Sequence, residues 1–319
     1  MAPDHPTGAS TASAVSTTPT ASAVTIGVSL KMYFGHHETL NWCRRIAAIA
    51  DRHPAVASGL AETFVLPSFP TLAPACGILA GSGVRIGAQD LCAEDNGAYT
   101  GEVAGPQLRE IGCSYAEVGH AERRRLFGED DHTVATKTAA ALRSGLTPVL
   151  CVGEPERVRV GEATERCIDE VSSALAVAAR DGVGGVGGVG GVLGRVLVAY
   201  EPQWAIGAPE PASPEHIGAV CADLSAWLAE QPGLTGSRVI YGGSAGPGLL
   251  TRLDARAGGL FLGRFAHDPA AFARILDEAV ALHGLPQGSH PQGGPPQGSR
   301  PQGTTGGHGN GTDTLERSA

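Results

Sequence analysis

Lysine is nearly missing from this chain: of 23 basic residues among 319, only Lys31 and Lys137 are lysines. No Lys/Arg cluster forms a stripe and the net charge is -9, so neither nucleic acid nor an anionic membrane is an expected partner. No apolar run reaches the roughly 18 residues that a membrane-spanning helix needs. The first residues also lack the basic region and apolar core of an export signal. A soluble protein in the cytoplasm is the expectation. The seven cysteines, at 43, 76, 92, 113, 151, 167 and 221, include no Cys-x-x-Cys pair. That spacing offers no zinc site or dithiol and suits reduced, mostly buried thiols. Asn310-Gly-Thr312 fits a glycosylation pattern that has no meaning without export. What remains is small-molecule chemistry, and a 42% hydrophobic content is ample for a core.

Residues 1–23 are mostly Ala, Ser, Thr and Pro, and residues 284–319 repeat Pro-Gln-Gly. Neither composition can offset the entropy of ordering, so a disordered arm and a disordered tail are expected. Residues 24–283 have about the length of one (β/α)8 barrel. Within them, strand-like apolar runs occur at 24–29, 62–66, 84–89, 114–118, 147–152, 196–200, 238–241 and 259–263. Helix-like stretches at 38–52, 132–144, 162–180, 214–230 and 269–283 separate most of them. Ser213-Pro214 and Asp268-Pro269 read as helix starts with Pro in the first turn. Eight alternations of strand and helix predict a closed parallel barrel. The Gly- and Val-rich insertion 182–194 contains a G-x-G-x-x-G match, yet it follows a helix and opens none. It is read as a linker and not as a dinucleotide site.

In such a barrel, chemistry belongs to the C-terminal strand ends. The sixth run, Val196-Leu-Val-Ala-Tyr200, ends in Glu201-Pro202, a carboxylate leaving a dry strand, where a catalytic base would stand. The first ends at Lys31, a compact ammonium in a chain that otherwise uses Arg. The fourth ends in Gly119-His120, an imidazole that helical backbone N–H groups would keep neutral. The seventh and eighth end in Tyr241-Gly-Gly-Ser244 and Leu262-Gly263-Arg264, turns whose backbone N–H groups can approach a phosphate. His36, His37 and Glu38 have no further clustered ligands and read as a solvated helix start; no metal is expected.

These motifs, with Gly97-Ala-Tyr-Thr-Gly-Glu102, Cys151-Val-Gly-Glu154 and Glu201-Pro-Gln-Trp204-Ala-Ile-Gly207, resemble the triosephosphate isomerase family in content and order from about Val24 to Leu282. The resemblance implies that Glu201 is the base, His120 the electrophile, Lys31 the electrostatic partner and Glu122 a supporting carboxylate. It also implies that Gly207, Ser244 and Gly263 contact phosphate, that residues 202–212 form a lid, and that no cofactor is needed. That family is itself the standard illustration of a Glu base beside a neutral His, so these roles come from the resemblance and not from spacing. A homodimer is implied because the family places the loop around Gly97 to Glu102 across a subunit interface.

Four positions depart from the family pattern. Ser29 stands for Asn, Ala121 for Ser, Pro209 for a lid Gly, and Arg264 for the second Gly of the eighth-strand turn. Ser29 and Arg264 resemble the branch that handles tetrulose phosphates, where more room and an added cation would suit a longer sugar. The leading expectation is aldose–ketose isomerisation of triose phosphate through an enediolate, in glycolysis and gluconeogenesis. Erythrulose phosphate is the rival substrate. A Schiff-base aldolase using Lys31 and a non-catalytic phosphate-binding barrel are the readings from other classes.

Overall fold

The computed structural model describes residues 23–182 and 194–283. The expected arm, tail and glycine-rich linker lie, but for Ala23, Gly182 and Gly194, outside the described residues. Eight strands form one closed parallel barrel in chain order: β1 Val24–Ser29, β2 Ala61–Leu66, β3 Val84–Ala88, β4 Tyr115–Val118, β5 Thr147–Val152, β6 Leu197–Tyr200, β7 Arg238–Tyr241 and β8 Gly259–Leu262. Pairing of Thr25 with Gly259 and Val28 with Leu262 closes it. All eight strand-like runs of the sequence are therefore strands, with ends moved by a residue at most.

The helices are α1 His36–Ala50, α2 Pro54–Ala57, α3 Leu72–Leu79, α4 Gly105–Glu110, α5 Ala121–Phe127, α6 Asp131–Arg143, α7 Val160–Arg180, α8 Pro214–Ala229, α9 Leu249–Leu253 and α10 Pro269–Leu282. The five helix-like stretches are α1, α6, α7, α8 and α10. The other five have eight residues or fewer, too few for a 3.6-residue period to show. Side chains cap the starts of α6, α8 and α10: Asp130, Ser213 and Asp268 each accept a backbone N–H from the first turn. Each such cap contributes about 1 kcal/mol. In α7, Ala163, Cys167, Val171, Ala174, Leu175 and Ala178 are buried, one stripe at helical spacing that faces the sheet.

Strand side chains alternate between the bore and the helix layer. Phe64, Leu66, Tyr115, Val149, Cys151, Leu197, Ala199, Ile240 and Phe261 pack together inside the bore. Phe64 stacks on Tyr115 with centroids 4.4 Å apart. The ring occupies the space over Gly27, where a Cβ would fall 2.2 Å from it. This plug separates two polar ends. At the N-terminal end, Glu62 of β2 meets Arg195 (2.6 Å), Arg85 (3.3 Å), Arg238 (3.8 Å) and the Tyr115 hydroxyl (2.5 Å). At the C-terminal end lie Ser29, Glu117, His120 and Glu201, all buried.

Candidate active site

Glu201 follows β6 directly, and its backbone N–H donates to the Val152 carbonyl at 2.8 Å, which fixes the point where the chain leaves the sheet. Its carboxylate lies against Gly242, where any Cβ would come within 2.4 Å of Oε1. The Gly-Gly of the seventh strand end thus makes room for the carboxylate. Oε2 is buried and accepts no hydrogen bond among the described residues, and it stands 3.5 Å from His120 Nε2. A buried carboxylate oxygen without a donor is costly and available to take a proton.

His120 is the N-cap of α5, and its Nδ1 accepts the Glu122 backbone N–H at 3.1 Å. An Nδ1 that accepts carries no hydrogen, so the ring's proton is assigned to Nε2, the atom facing Glu201. Lys31 has a left-handed backbone, with φ of 49°. Gln89 holds that turn by donating to the carbonyls of Lys31 (3.0 Å) and Leu66 (2.8 Å). Such strain costs about 1–3 kcal/mol and persists only where surroundings enforce it. Lys31 Nζ donates to Glu122 Oε1 at 2.7 Å. Burial works to lower the Lys31 pKa, and the hydrogen bond and charge of Glu122 outweigh it, so the net shift is upward. A lysine held as an ammonium is no imine-forming nucleophile, which counts against the aldolase reading.

The second lysine serves the first. Lys137 Nζ is buried between Asp90 (2.7 and 2.9 Å) and Glu129 (2.6 Å), and Arg123 bridges the same two carboxylates. This network pins α5, which carries Glu122, to the strand-three loop.

Ser29, Lys31, His120, Glu122, Glu201, Gly207, Gly243, Ser244, Gly263 and Arg264 line one cavity of about 260 Å³. Every site residue expected from the sequence therefore borders one opening. Of segment 202–212, Ile206 and Gly207 line it. The Ser244 hydroxyl lies 2.6 Å from the Ala208 carbonyl and 3.2 Å from that of Ala205. The Tyr241 hydroxyl accepts from Ala212 N–H at 3.3 Å. Pro209 has no N–H, and the neighbouring carbonyl makes the contact instead. Arg264 donates to Gly207 O at 3.3 Å, so it ties the lid to the eighth-strand turn. The start of the lid is fixed by Glu154, whose Oε1 accepts from Trp204 (2.9 Å) and Tyr200 (3.1 Å). A larger cavity of about 620 Å³, at the other end of the barrel, adjoins Ala23 and His283 and has no carboxylate in its lining.

Two residues at this mouth were not named from the sequence. Glu154 lay within a quoted motif. Glu117 was detectable as an acidic residue inside the four-residue buried strand Tyr115–Val118. Its Oε2 accepts from the Ser29 hydroxyl at 3.1 Å, and Oε1 lies 4.0 Å from His120 Nε2. Cys151, between Glu117 and Glu201, is no candidate nucleophile, since burial and both carboxylates push its thiol pKa far up. Among the described residues no three His, Cys, Asp or Glu side chains are grouped to hold a metal.

The family model described as triosephosphate isomerase matches residues 24–279. An L-erythrulose-1-phosphate isomerase of Pectobacterium atrosepticum is 54% identical over 259 residues, covering 81% of this chain and 96% of that protein. Triosephosphate isomerases of Moorella thermoacetica (76% of this chain, 94% of that protein) and Magnetococcus marinus (69% and 86%) are each 38% identical. A barrel with this strand order, matched along nearly all its described length, belongs to the triosephosphate isomerase family.

Proposed function

We propose that this protein is a sugar phosphate isomerase whose substrate is a tetrulose phosphate of the L-erythrulose 1-phosphate type. Glu201 removes the proton from the hydroxyl-bearing carbon beside the carbonyl. The C–H electron pair becomes the enediolate double bond, and the carbonyl π pair moves onto oxygen. The Nε2–H of His120 and the Lys31 ammonium stabilise that developing oxyanion, a contribution of several kcal/mol in a dry site. His120 gives its Nε2 proton to that oxygen and takes up the proton of the neighbouring hydroxyl, and Glu201 returns the carbon-bound proton to the former carbonyl carbon, so the carbonyl shifts by one position. Glu122 keeps Lys31 charged and in place. Gly207, Ser244, Gly263 and Arg264 surround the phosphate, and the closed lid protects the enediolate from losing it.

The reaction type rests on the 3.5 Å approach of His120 Nε2 to Glu201 Oε2 above one small cavity. The choice of substrate rests on the 54% identity to an L-erythrulose-1-phosphate isomerase, against 38% for the two triosephosphate isomerases. Ser29 and Arg264, the departures from the triose pattern, fit it. Triose phosphate, with its place in glycolysis and gluconeogenesis, becomes the second reading. The test is kcat/KM of the purified protein on L-erythrulose 1-phosphate and on dihydroxyacetone phosphate. At least tenfold preference for the first is expected, and preference for the second would reverse the order.

The working form is a homodimer in the cytoplasm. All seven cysteines are free thiols, which suits a reducing compartment. A cavity of about 390 Å³ beside the active site is rimmed by the exposed Met32, Phe69, Leu126 and Phe127. The loop at 97–102, carrying the half-exposed Tyr99, has the apolar tip to cover that rim from a second copy while leaving the part next to Ser29 and Glu117 open. Sedimentation should give a dimer mass, and a monomer at micromolar concentration would refute the pairing.

A further inference from the structure

Glu117 has no part in the proton transfer described above. On β4, Tyr115 faces the bore, and alternation turns Glu117 the same way, while Ala116 and Val118 join the outer core. Glu117 is 3% exposed. Its partners are weak for a buried carboxylate: the Ser29 hydroxyl on Oε2 at 3.1 Å and the Cys151 thiol on Oε1 at 3.9 Å. No Lys or Arg pairs with it among the described residues. Burial drives its carboxyl up to about 7, opposed by His120 and assisted by the nearby Glu201 charge. An apolar side chain here would avoid the desolvation cost, so the carboxylate has unused acceptor capacity at a position where that is unfavourable.

Two adjoining cavities show what could supply the missing donor. The turns Gly243–Ser244 and Gly263–Arg264 line only the first, and Glu117 lines only the second. Ser29, Lys31, His120 and Glu122 line both. A phosphosugar anchored by the turns, with its reacting carbons between Glu201 and His120, therefore directs its far end to Ser29 and Glu117.

We infer that Glu117 and Ser29 form a specificity subsite for the hydroxymethyl group by which a four-carbon ketose phosphate exceeds a three-carbon one. The inference rests on the tetrulose phosphate reading. In such a substrate the carbon that Glu201 deprotonates carries a hydroxymethyl where the triose carries hydrogen. The short Ser29 side chain leaves space for that carbon. The added hydroxyl donates to Glu117 Oε1, while Ser29 keeps Oε2 occupied. A substrate without the hydroxyl leaves the desolvated carboxylate short of a donor, and sites of this kind discriminate strongly.

The test measures kcat/KM for L-erythrulose 1-phosphate and for its analogue with methyl in place of hydroxymethyl, in the wild type and in Glu117→Leu and Glu117→Gln. The wild type should prefer the hydroxymethyl compound by about 10- to 100-fold. Glu117→Leu should reduce that preference to about threefold or less, and Glu117→Gln, which keeps an acceptor, should fall between. If Glu117→Leu slows both compounds equally and the preference survives, the side chain is structural and the subsite is refuted. The wild-type comparison needs no variant: equal turnover of the two compounds refutes the subsite even if Glu117→Leu does not fold. A wild type active only on three-carbon substrates overturns the tetrulose reading instead, and the inference with it.

Discussion

The bore of this barrel holds a glutamate at each end, and the two are managed in opposite ways. At the base, burial alone would raise the Glu62 carboxyl. Hydrogen bonds from Arg195 and Tyr115 and the charges of Arg195 and Arg85 override it and hold the pKa at about 2. Near the mouth, Glu117 has a serine, a thiol and a distant imidazole, and its pKa stands at about 7. The residue type is the same, and burial pushes both carboxyls upward, although Glu62 is partly exposed and Glu117 fully buried. What differs is the supply of free cations: strands two, three, six and seven bring Glu62 and three arginines together at the base, whereas the cations at the mouth are engaged elsewhere, Lys31 by Glu122, Arg123 by Asp90 and Glu129, and Arg264 by the Gly207 carbonyl. The base is neutralised and serves stability. At the mouth carboxylates are left short of partners, which costs stability and leaves groups free to exchange protons.

This contrast can be broken first by removing charge at each end. Lys31→Met should lower kcat/KM by about 10²- to 10³-fold, as for loss of a donor to a developing oxyanion. Its effect on stability should stay below about 1 kcal/mol, because the Lys31–Glu122 pair is partly exposed. Glu62→Gln should do the reverse: three arginines lose their carboxylate and unfolding free energy falls by about 3–5 kcal/mol. Its kcat/KM should change by less than about threefold, since the aromatic plug separates it from the site. A stability loss from Lys31→Met as large as that from Glu62→Gln would remove the distinction.

Titration sharpens it further. Glu62 is depressed, so its stabilisation is present above its ordinary pKa of 4.5 and is lost as pH falls from there toward about 2. Glu117 is raised, so the folded state holds a proton that the unfolded state releases, and stability falls as pH rises from 4.5 to about 7. Each effect is on the order of 3 kcal/mol. Denaturation across pH should show Glu117→Gln abolishing the decline between pH 4.5 and 7 and leaving the acid limb intact. Glu62→Gln should flatten the acid limb alone. The smallest effect is expected for Tyr115→Phe, which removes one hydrogen bond to Glu62 and should cost about 1–2 kcal/mol in denaturant melts with turnover retained.

Local signals in the sequence account for what was legible. Apolar runs marked all eight strands, most plainly the sixth, whose lack of alternation suits a parallel strand buried on both faces. Ser213-Pro214 and Asp268-Pro269 marked the starts of α8 and α10 through capping chemistry confined to adjacent residues. Lys31, His120 and Glu201 could be named because each ends a strand, and the fold brings strand ends together. The base cluster was not legible. Glu62, Arg85, Arg195 and Arg238 are charged residues at or near strand starts, and only the register of closure brings them together. Short helices such as α3, α4 and α9 escaped for lack of a period, whereas a helical turn after Gly119 was expected and is α5, which sets the His120 tautomer and holds Lys31 through Glu122. Glu117 is visible as an acidic residue in an apolar run, but one such residue does not reveal which face of the strand it occupies, so no role followed from it. Arg264 was expected beside the phosphate as an added cation, and it also bonds the lid through Gly207 O.

The most direct test of proton transfer at the mouth is deuterium incorporation. The wild type in D₂O with L-erythrulose 1-phosphate or dihydroxyacetone phosphate should label the carbon that Glu201 deprotonates. Glu201→Gln should fold and show no incorporation above the uncatalysed rate. Incorporation by Glu201→Gln at the wild-type rate would contradict the assignment of Glu201 as the group that moves the proton.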